Sequence, residues 1–166
     1  MKVVVIGGVA AGTKAAAKLK REQPDAEVVI YTKGRDISYA GCGLPYYVGG
    51  EIKTREDLIV NTPQKYAGLT RVEVHTGQEA VALNAGAKTV TLRDVDTGAE
   101  KTDSYDKLIL AVGAEPFVPG VPGTDLPGVF KMRTPDDAIT ARDWAEQNNC
   151  RRAVVVGGGF IGLEVA

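Results

Sequence analysis

The chain has 166 residues, of which 44% are hydrophobic and 25% are charged, and its formal net charge at neutral pH is −1. These values are ordinary for a globular protein with one domain, or with one domain and part of a second. A nearly neutral chain argues against a nucleic acid or an anionic membrane surface as its partner.

Three further features narrow the class of protein. The longest apolar runs, such as residues 3–6, are far too short to span a bilayer. The chain enters a predicted strand directly after Met1 and Lys2, so we predict no signal peptide. Two cysteines, Cys42 and Cys150, cannot build a disulfide framework, and this favours a reducing cytoplasm.

The N-terminal segment predicts a βαβ unit. Residues 2–6 form an apolar, β-branched run that is typical of a buried strand. The glycine-rich residues 7–12 follow, and residues 13–23, rich in Ala, Lys and Leu, predict a helix. Pro24 ends this helix, and residues 27–31 predict a second strand. Two strands joined by one helix within about 30 residues are expected to pair in parallel through a right-handed crossover.

The middle of the chain changes its pattern twice. Residues 33–50 predict a glycine-rich loop that carries Cys42, and residues 54–68 predict a short helical stretch broken at Pro63. Further on, short β-like runs alternate with turn signals, which predicts an antiparallel meander inserted in an α/β domain. The four runs are residues 72–75, 80–83, 89–93 and 107–110.

The C-terminal part predicts a connection, a helix and a second glycine loop. Residues 113–128 hold four of the eight prolines and predict a connecting segment. Thr134 and Pro135, followed by two aspartates, predict the start of a helix that runs to about Gln147. Residues 153–156 predict another buried strand, and a glycine loop follows at 157–162. Such a loop should open a helix of about ten or more residues, so we predict that the chain is an N-terminal fragment.

The two glycine loops carry a signal for nucleotide binding. A strand, a glycine turn and a helix N-terminus form a pyrophosphate site, because the backbone can approach the ligand and free N–H groups point at the anion. In the first loop, Gly7 and Gly12 occupy the outer positions of the GxGxxG pattern and Val9 the central one. The second loop fits fully, through Gly157, Gly159 and Gly162.

A single loop of this kind is also found as an ordinary strand–turn–helix with glycine at the turn. Two of them, each after a β-branched run, predict a flavoenzyme that binds two nucleotides. An acidic residue is expected about 20 residues after the first loop, where it would bind the ribose hydroxyls. This chain has Thr32 and Lys33 there. The first site therefore departs from the pattern at two positions, Val9 and Thr32.

Cys42 is the candidate reactive residue. Pro45 suits the first turn of a helix, so Cys42 is expected near a helix N-terminus, where the thiolate form is favoured. The alternative is a buried, inert cysteine, which is common in protein cores, but the flanking glycines and tyrosines fit a core element poorly. The fifth residue after Cys42 is Tyr47, which excludes a CxxxxC disulfide. A single thiol would cycle through a mixed disulfide or a sulfenic acid.

Two other residues with reactive side chains are predicted to be structural. Cys150 directly precedes a predicted strand. His75, the single histidine, lies in a short run with an alternating pattern. A catalytic histidine is the alternative at this position.

Five segments of the chain resemble a known family of enzymes. They are VVVIGGVAAGTKAAAKLKRE, SYAGCGLPYYVGG, YDKLILAVGAEPFVPG, GVFKMRTPDDA and RRAVVVGGGFIGLEVA. The whole chain resembles the single-cysteine branch of the pyridine nucleotide–disulfide oxidoreductases, which includes coenzyme A-disulfide reductases, water-forming NADH oxidases and NADH peroxidases. The resemblance to the coenzyme A-disulfide reductases is the closest, through GGVA in the first loop and the spacing of Ser38 and Cys42.

The resemblance implies an α/β fold with two nucleotide-binding domains in succession along the chain. Residues 1–112 would form a Rossmann-like FAD-binding domain, a parallel sheet with an antiparallel meander insert. Residues 113–150 would be a connecting segment with a helix. Residues 151–166 would be the first strand and loop of a second Rossmann-like domain, which binds NAD(P)H. The resemblance implies no metal.

The resemblance also implies roles for individual residues. The FAD contacts would be Gly7, Gly8, Val9, Ala10, Ala11, Gly12, Thr32, Lys33, Val81, Ala111, Val112 and Gly113. The NAD(P)H loop would comprise Gly157, Gly159, Phe160, Ile161 and Gly162, with Phe160 as an aromatic gate over the flavin. Cys42 would lie beside the isoalloxazine ring, and Lys18, Arg21 and Ser38 would contact coenzyme A.

The sequence departs from the family in four places. Thr32 replaces a glutamate, Gly41 replaces an asparagine, and Val112 replaces a threonine. The rest of the NAD domain, the returning flavin segment and the dimer domain are absent. We therefore expect a disulfide reductase that is a homodimer when full length, and a fragment that is inactive by itself. The alternatives are an NADH oxidase or peroxidase that uses a Cys42 sulfenate, and a non-catalytic nucleotide-binding module.

Overall fold

Seven strands and five α-helices form the chain, and the computed structural model describes residues 1–166. The strands are β1 (Lys2–Ile6), β2 (Glu27–Thr32), β3 (Glu73–Thr76), β4 (Gln78–Asn84), β5 (Thr89–Asp94), β6 (Glu100–Ser104) and β7 (Lys107–Leu110). The helices are α1 (Ala10–Glu22), α2 (Leu44–Val48), α3 (Pro63–Thr70), α4 (Pro135–Gln147) and α5 (Phe160–Val165). No helix has both the length and the apolar character needed to cross a bilayer.

The elements fall into two units. The first unit comprises Met1–Tyr39 and Asn61–Gly113, and the second comprises Ala40–Val60 and Ala114–Ala166. The first unit holds all seven strands with α1 and α3. The second holds the cysteine loop with α2, α4 and α5.

The first unit is built on a four-stranded parallel sheet in the order β3-β2-β1-β7. Val4 of β1 lies opposite Val29 of β2 on one side and Leu108 of β7 on the other. Val4 and its neighbour Val5 are fully buried. A parallel strand covered on both faces has a continuous apolar sequence, as β1 does. The predicted βαβ unit and the α/β fold class are confirmed.

Different layers cover the two faces of the parallel sheet. One face packs against the two helices of the first unit, through a cluster of Val5, Val28 and Ile30 with Ala16 of α1 and Tyr66 of α3. The other face packs against an antiparallel sheet, through Val4, Ile6, Val29 and Tyr31 with Val90 and Leu92 of β5. The sheet is therefore the middle layer of three.

The strands that form the antiparallel meander differ from the predicted ones. The meander contains β4, β5 and β6. The predicted runs at 72–75 and 107–110 do form strands, but β3 and β7 are parallel members of the main sheet. The sequence does not predict β6, because its residues EKTDS are polar and mostly exposed. Without apolar alternation, an exposed strand has no signature in the sequence.

Pro63 begins a helix rather than breaking one. The predicted stretch at 54–68 consists of a 3₁₀ turn at Glu56–Leu58 and the start of α3 at Pro63. Thr62 caps α3, since its hydroxyl oxygen accepts the N–H of Lys65 at 3.2 Å. The prediction of a break is wrong, because proline at the first turn lacks only an N–H that has no partner inside the helix.

The second unit is organised around α2 and α4. Its buried cluster consists of Leu44 and Tyr47 of α2, Leu58, and Ala138 of α4. α4 begins at Pro135 and ends at Gln147, as predicted. A capping box fixes its start: the Thr134 hydroxyl accepts the N–H of Asp137 at 3.2 Å, and the Asp137 carboxylate accepts the N–H of Thr134 at 2.8 Å.

The predicted buried strand at residues 153–156 is wrong. These residues have no regular secondary structure, and Val154 and Val156 are 88% and 91% exposed. A buried strand needs a neighbouring strand and a covering layer, and no strand of this chain pairs with the segment. Cys150 therefore follows α4 instead of preceding a strand. Its N–H donates to the carbonyl oxygen of Ala145 at 2.9 Å.

A polar network joins the two sheets of the first unit. The Asp103 carboxylate in β6 accepts hydrogen bonds from Lys2 Nζ at 2.6 Å and from the Tyr31 hydroxyl at 2.9 Å. Burial alone would raise the pKa of Asp103, but the hydrogen bonds from Lys2 and Tyr31 outweigh it and hold this pKa below its usual value. The His75 ring stacks on Tyr31, with ring centroids 5.0 Å apart. This contact agrees with a structural role for His75.

We expect Asp103→Asn to lower the free energy of unfolding at neutral pH by roughly 1.5–3 kcal/mol, the range for hydrogen bonds to a charged group. The pKa of Asp103 is lower in the folded chain than its usual value. Its contribution is therefore complete above the unfolded pKa and is lost as the pH falls through the folded pKa. Urea unfolding from about pH 7 down to about pH 3 should show the two proteins converging in stability. A constant difference across this range would contradict a role for the charged carboxylate.

Candidate functional site

The first glycine loop joins β1 to α1 through contacts that leave no room for side chains. Gly7 has a φ of +110°, and a Cβ there would overlap the carbonyl oxygen of Ala111. A Cβ on Gly12 would overlap the carbonyl oxygen of Gly7. These glycines let α1 and the end of β7 approach the loop closely.

The N-terminus of α1 is open to a ligand. The helix begins at Ala10, three residues earlier than predicted, and Val9 before it provides no side-chain cap. Ala10 and Ala11 are exposed, and no acidic side chain lies in the first turn. The first N–H groups of a helix have no intrahelical partner, so this end carries partial positive charge that suits a pyrophosphate. Val9 has a φ of −97°, which does not require glycine.

Thr32 lies against the glycine loop, at the end of β2. It is buried, and a Cβ on Gly8 would lie 3.1 Å from its Cγ2. The structure therefore places Thr32 beside the loop, where the sequence predicted a ribose contact. Lys33, the next residue, is exposed, and its Nζ lies 2.9 Å from Glu79 Oε1.

Two further segments were predicted to contact FAD. The N–H of Ala111 donates to the carbonyl oxygen of Ile6 at 2.8 Å, which holds the segment after β7 beside the first loop. Val112 is exposed, and Gly113 has a φ of +73°. Val81 is the extra residue of an irregularity in β4, because Ala80 and Ala82 pair with consecutive residues of β5. All the residues predicted to bind FAD belong to the first unit.

The second glycine loop repeats the conformation of the first. Gly157 has a φ of +116°, and a Cβ on Gly162 would overlap the carbonyl oxygen of Gly157. This is the contact that Gly12 makes with Gly7. Gly159 precedes α5 and provides no side-chain cap. The loop has this shape although no strand precedes it, so the conformation is a local property of the glycine pattern. Phe160 and Ile161, at the start of α5, are 89% and 58% exposed.

Cys42 lies in a 3₁₀ turn, Gly41–Gly43, that leads directly into α2. The N–H of Gly43 donates to the carbonyl oxygen of Ala40 at 2.9 Å, and the N–H of Leu44 donates to that of Gly41. Cys42 is exposed and forms no disulfide. It therefore lies at the N-terminal end of a helix, as predicted, and the alternative of a buried cysteine is wrong.

The two glycines beside Cys42 have different environments. A Cβ on Gly43 would lie 3.0 Å from Ile52 Cδ1 and 3.2 Å from Leu58 Cδ2, so packing requires glycine there. A Cβ on Gly41 would meet no atom within 4 Å. Packing therefore does not require glycine at position 41.

Ser38 is held against the first glycine loop. Its N–H donates to the carbonyl oxygen of Gly8 at 2.9 Å, and its Oγ accepts from Asn61 Nδ2 at 3.4 Å. Ser38 has a φ of +49°. A left-handed conformation is uncommon for a residue other than glycine, and such strain is concentrated at functional sites. The sequence alone gives no indication that Ser38 and the loop are in contact.

A cationic groove lies at the C-terminal ends of α1 and α3. It has a volume of about 470 Å³ and is lined by Arg21 with Lys20, Arg71, Ala17, Pro24, Leu69 and Thr70. Lys20 donates to two main-chain carbonyl oxygens, so Arg21 and Arg71 are the cations available to a ligand. Nothing in the sequence alone indicates Arg71, because only the tertiary structure brings it beside Arg21. Lys18 lies elsewhere on α1 and pairs with Glu22 at 3.6 Å.

Two glycine loops of one conformation, each opening a helix, define a dinucleotide-binding α/β protein. Residues 1–166 match the pyridine nucleotide-disulphide oxidoreductase family, and the chain belongs to this family. The resemblance that the sequence motifs indicated is confirmed.

The curated relatives of this chain are named either as oxidases or as reductases. A protein named NADH oxidase from Methanocaldococcus jannaschii is 39% identical over 100% of this chain and 37% of its own length. A coenzyme A disulfide reductase from Staphylococcus haemolyticus is 36% identical over 99% of this chain and 37% of its own length. The crystal structure of reduced Bacillus anthracis CoADR-RHD has a TM-score of 0.95 and 38% identity, over 99% of this chain and 30% of that chain. The chain thus spans well under half the length of these relatives.

Proposed function

We propose that the chain is the FAD-binding N-terminal part of an NAD(P)H-dependent disulfide reductase in which Cys42 is the redox thiol. One observation carries the proposal: two glycine loops of the same conformation accompany Cys42, an exposed cysteine at the start of a helix. Two nucleotide sites and one thiol are the parts needed to pass electrons from NAD(P)H through a flavin to a disulfide.

In this proposal the first loop binds the pyrophosphate of FAD. The uncapped N-terminus of α1 supplies N–H donors, and the closely packed glycines let the ligand approach the backbone. Thr32 lies beside Gly8 and is placed to exchange a hydrogen bond with the ribose. The second loop, with Gly159 at the start of α5, binds NAD(P)H in the same way. The domain assignment is residues 1–112 for FAD, 113–150 for the connection and 151–166 for the start of the NAD(P)H domain.

The chemistry begins at Cys42. Its thiolate attacks one sulfur of a disulfide RSSR, forms a mixed disulfide Cys42–S–S–R and releases RS⁻, which takes up a proton. FAD, when held by the first loop, would provide the two electrons for reduction of this mixed disulfide, drawn from NAD(P)H. The mixed disulfide takes up these electrons and one proton, which restores the Cys42 thiolate and releases RSH. In total, NAD(P)H, one proton and RSSR become NAD(P)⁺ and two RSH.

The acceptor that fits best is a disulfide of coenzyme A, or a related persulfide or polysulfide. Arg21 and Arg71 line one groove and have no carboxylate partner, so they suit the phosphates of a polyanion. Ser38 is held in place at the first loop, and Lys18 carries an exposed charge on the same helix as Arg21. The name of the S. haemolyticus relative supports the same acceptor.

A second candidate is an NADH oxidase that uses a Cys42 sulfenate. The relative from M. jannaschii, which has the higher identity of the two, is named NADH oxidase. The open space at Gly41 would also allow a small acceptor such as peroxide to reach the thiol. Comparison of coenzyme A disulfide and oxygen as acceptors in the full-length protein separates the two. Consumption of NAD(P)H with oxygen alone would overturn the reductase proposal.

The first experiment is a visible absorption spectrum of the purified chain after incubation with FAD and removal of free flavin. We expect a retained flavin band, because the loop, Thr32 and the segment after β7 are already assembled in the first unit. Loss of the band would mean that this chain alone is an incomplete half-site, a nucleotide-binding module without activity. The proposed activity would then be measured on the full-length protein. We also propose that the full-length protein is a cytoplasmic homodimer, which its sedimentation can test.

A further inference from the structure

α2 and the turn that carries Cys42 depend on other elements for their position. α2 has five residues, whereas isolated helices shorter than about 12–15 residues are marginal in water. Leu44 and Tyr47 pack into the buried cluster of the second unit. The end of the helix is closed by main-chain hydrogen bonds, in which the N–H groups of Gly49, Gly50 and Ile52 donate to carbonyl oxygens of α2.

Arg142 of α4 makes three contacts with the end of α2 and the segment that follows it. Its Nη1 donates to the carbonyl oxygens of Tyr47 at 3.2 Å and Ile52 at 3.3 Å. Its guanidinium carbon lies 5.0 Å from the centroid of the Tyr47 ring. Its Nε donates to Glu146 Oε1 at 2.8 Å, which anchors the guanidinium on α4.

These contacts add a charged donor to the Tyr47 carbonyl oxygen, which also accepts the N–H of Gly50 at 3.1 Å. The last carbonyl groups of a helix have no intrahelical partner and carry partial negative charge, so a cation that donates to them stabilises this end directionally. The planar guanidinium can stack on Tyr47 and donate to both carbonyl oxygens at the same time, which an ammonium group cannot do.

We propose that Arg142 is a positioning residue for Cys42, acting through α2. The inference rests on the proposed role of Cys42 as the redox thiol. Arg142 does not contact the thiol; it fixes the far end of the helix whose N-terminus presents that thiol. Cys42 is coupled to this helix through the hydrogen bond from Leu44 N–H to the Gly41 carbonyl oxygen. Loss of the guanidinium would let α2 rotate and would move the thiol from its exposed position at the start of this helix.

The chain offers a matched control for this inference. Asp136, at the start of α4, forms an exposed ion pair with Arg55, with 2.7 Å between the carboxylate oxygen and Nη1. This pair also joins α4 to the segment after α2, but it involves no residue of α2. Asp136→Asn should therefore leave Cys42 unchanged. Cys150, which is free and exposed after α4, serves as an internal reference for the alkylation rate in every variant.

The test measures the modification rates of both cysteines in the parent chain and in the Arg142→Gln, Arg142→Lys and Asp136→Asn variants. An uncharged alkylating reagent reports the presentation of each thiol, oxidised coenzyme A reports disulfide exchange, and peptide mass spectrometry separates the two sites. In Arg142→Gln we expect the Cys42 rates to fall about fivefold, the factor for one lost hydrogen bond, with Cys150 unchanged. Arg142→Lys should lie between this variant and the parent.

Two results would overturn the inference: an unchanged Cys42 rate in Arg142→Gln, or an equal fall at Cys42 and Cys150, which would indicate general loosening of the unit. If Arg142→Gln does not fold, Arg142→Lys gives the same comparison with the charge retained. Failure of the proposed function would give a different result from failure of this inference. In that case Cys42 of the parent chain does not exchange with oxidised coenzyme A, while the alkylation rates still decide the role of Arg142.

Discussion

Replacing Cys42 with serine is expected to abolish formation of a mixed disulfide between the chain and coenzyme A. A serine hydroxyl does not exchange with a disulfide, because exchange requires a thiolate. Cys42 is exposed and lies at the N-terminal end of α2, so the parent chain should accept one coenzyme A unit from the oxidised form. Intact-protein mass spectrometry would show this adduct in the parent chain and its complete loss in Cys42→Ser.

Cys150→Ser is the control for this prediction. Cys150 is also free and exposed, but it follows α4 and has no helix N-terminus beside it. The Cys150→Ser variant should keep the adduct. If Cys42→Ser also keeps it and Cys150→Ser loses it, the redox assignment belongs to the wrong cysteine. In the full-length protein, Cys42→Ser should remove NAD(P)H-dependent reduction of the disulfide, and unchanged turnover would exclude Cys42 from the mechanism.

The second large effect is expected from Gly12→Ala. The new methyl group would overlap the carbonyl oxygen of Gly7, so the start of α1 must move away from the loop. Overpacking of this kind costs about 1–3 kcal/mol, and the displaced helix no longer aims its N–H groups at the pyrophosphate. We expect a lower free energy of unfolding and the loss of FAD binding. Urea unfolding and a titration that follows flavin fluorescence would measure the two effects.

Gly68→Ala provides the matched substitution. Gly68 is exposed within α3, and a Cβ there would meet no atom within 4 Å. Alanine in a helix interior is more stable than glycine by roughly 0.5–1 kcal/mol, so this variant should unfold at higher urea concentration with unchanged FAD binding. Equal FAD affinity in Gly12→Ala and Gly68→Ala would show that the close approach of α1 to the loop is not needed for the nucleotide.

Local signals in the sequence were sufficient for much of the fold. The apolar run at residues 2–6 predicted β1, and the alanine-rich segment after the first loop predicted most of α1. Both predictions were possible because strand and helix signals lie in consecutive residues. Thr134 and Pro135, followed by two aspartates, predicted the start of α4, because proline and acidic residues favour a helix N-terminus within its first turn. The glycine spacing of the two loops also acts locally, and the second loop keeps its shape without a strand before it.

The sequence also predicted the position of Cys42 at the start of a helix, from Pro45 three residues later. It predicted Thr32 at the end of the second strand, which the structure places beside the first loop, because in a βαβ unit the second strand ends next to the loop that follows the first strand. Both features depend on structure formed between segments that are close in the sequence.

Contacts between distant segments were decided by the tertiary structure. β3 and β7 join the parallel sheet and β6 joins the meander through hydrogen bonds to residues far along the chain, and pairing of this kind has no local signature. The apolar run at 153–156 has strand propensity but no strand in this chain to pair with, so it stays extended and exposed. Arg71 meets Arg21, and Arg142 meets the end of α2, only through packing. The physical reason is the same in each case. Local propensity acts within a few residues, whereas burial and strand pairing depend on which distant segments of the chain pack against an element in the folded structure.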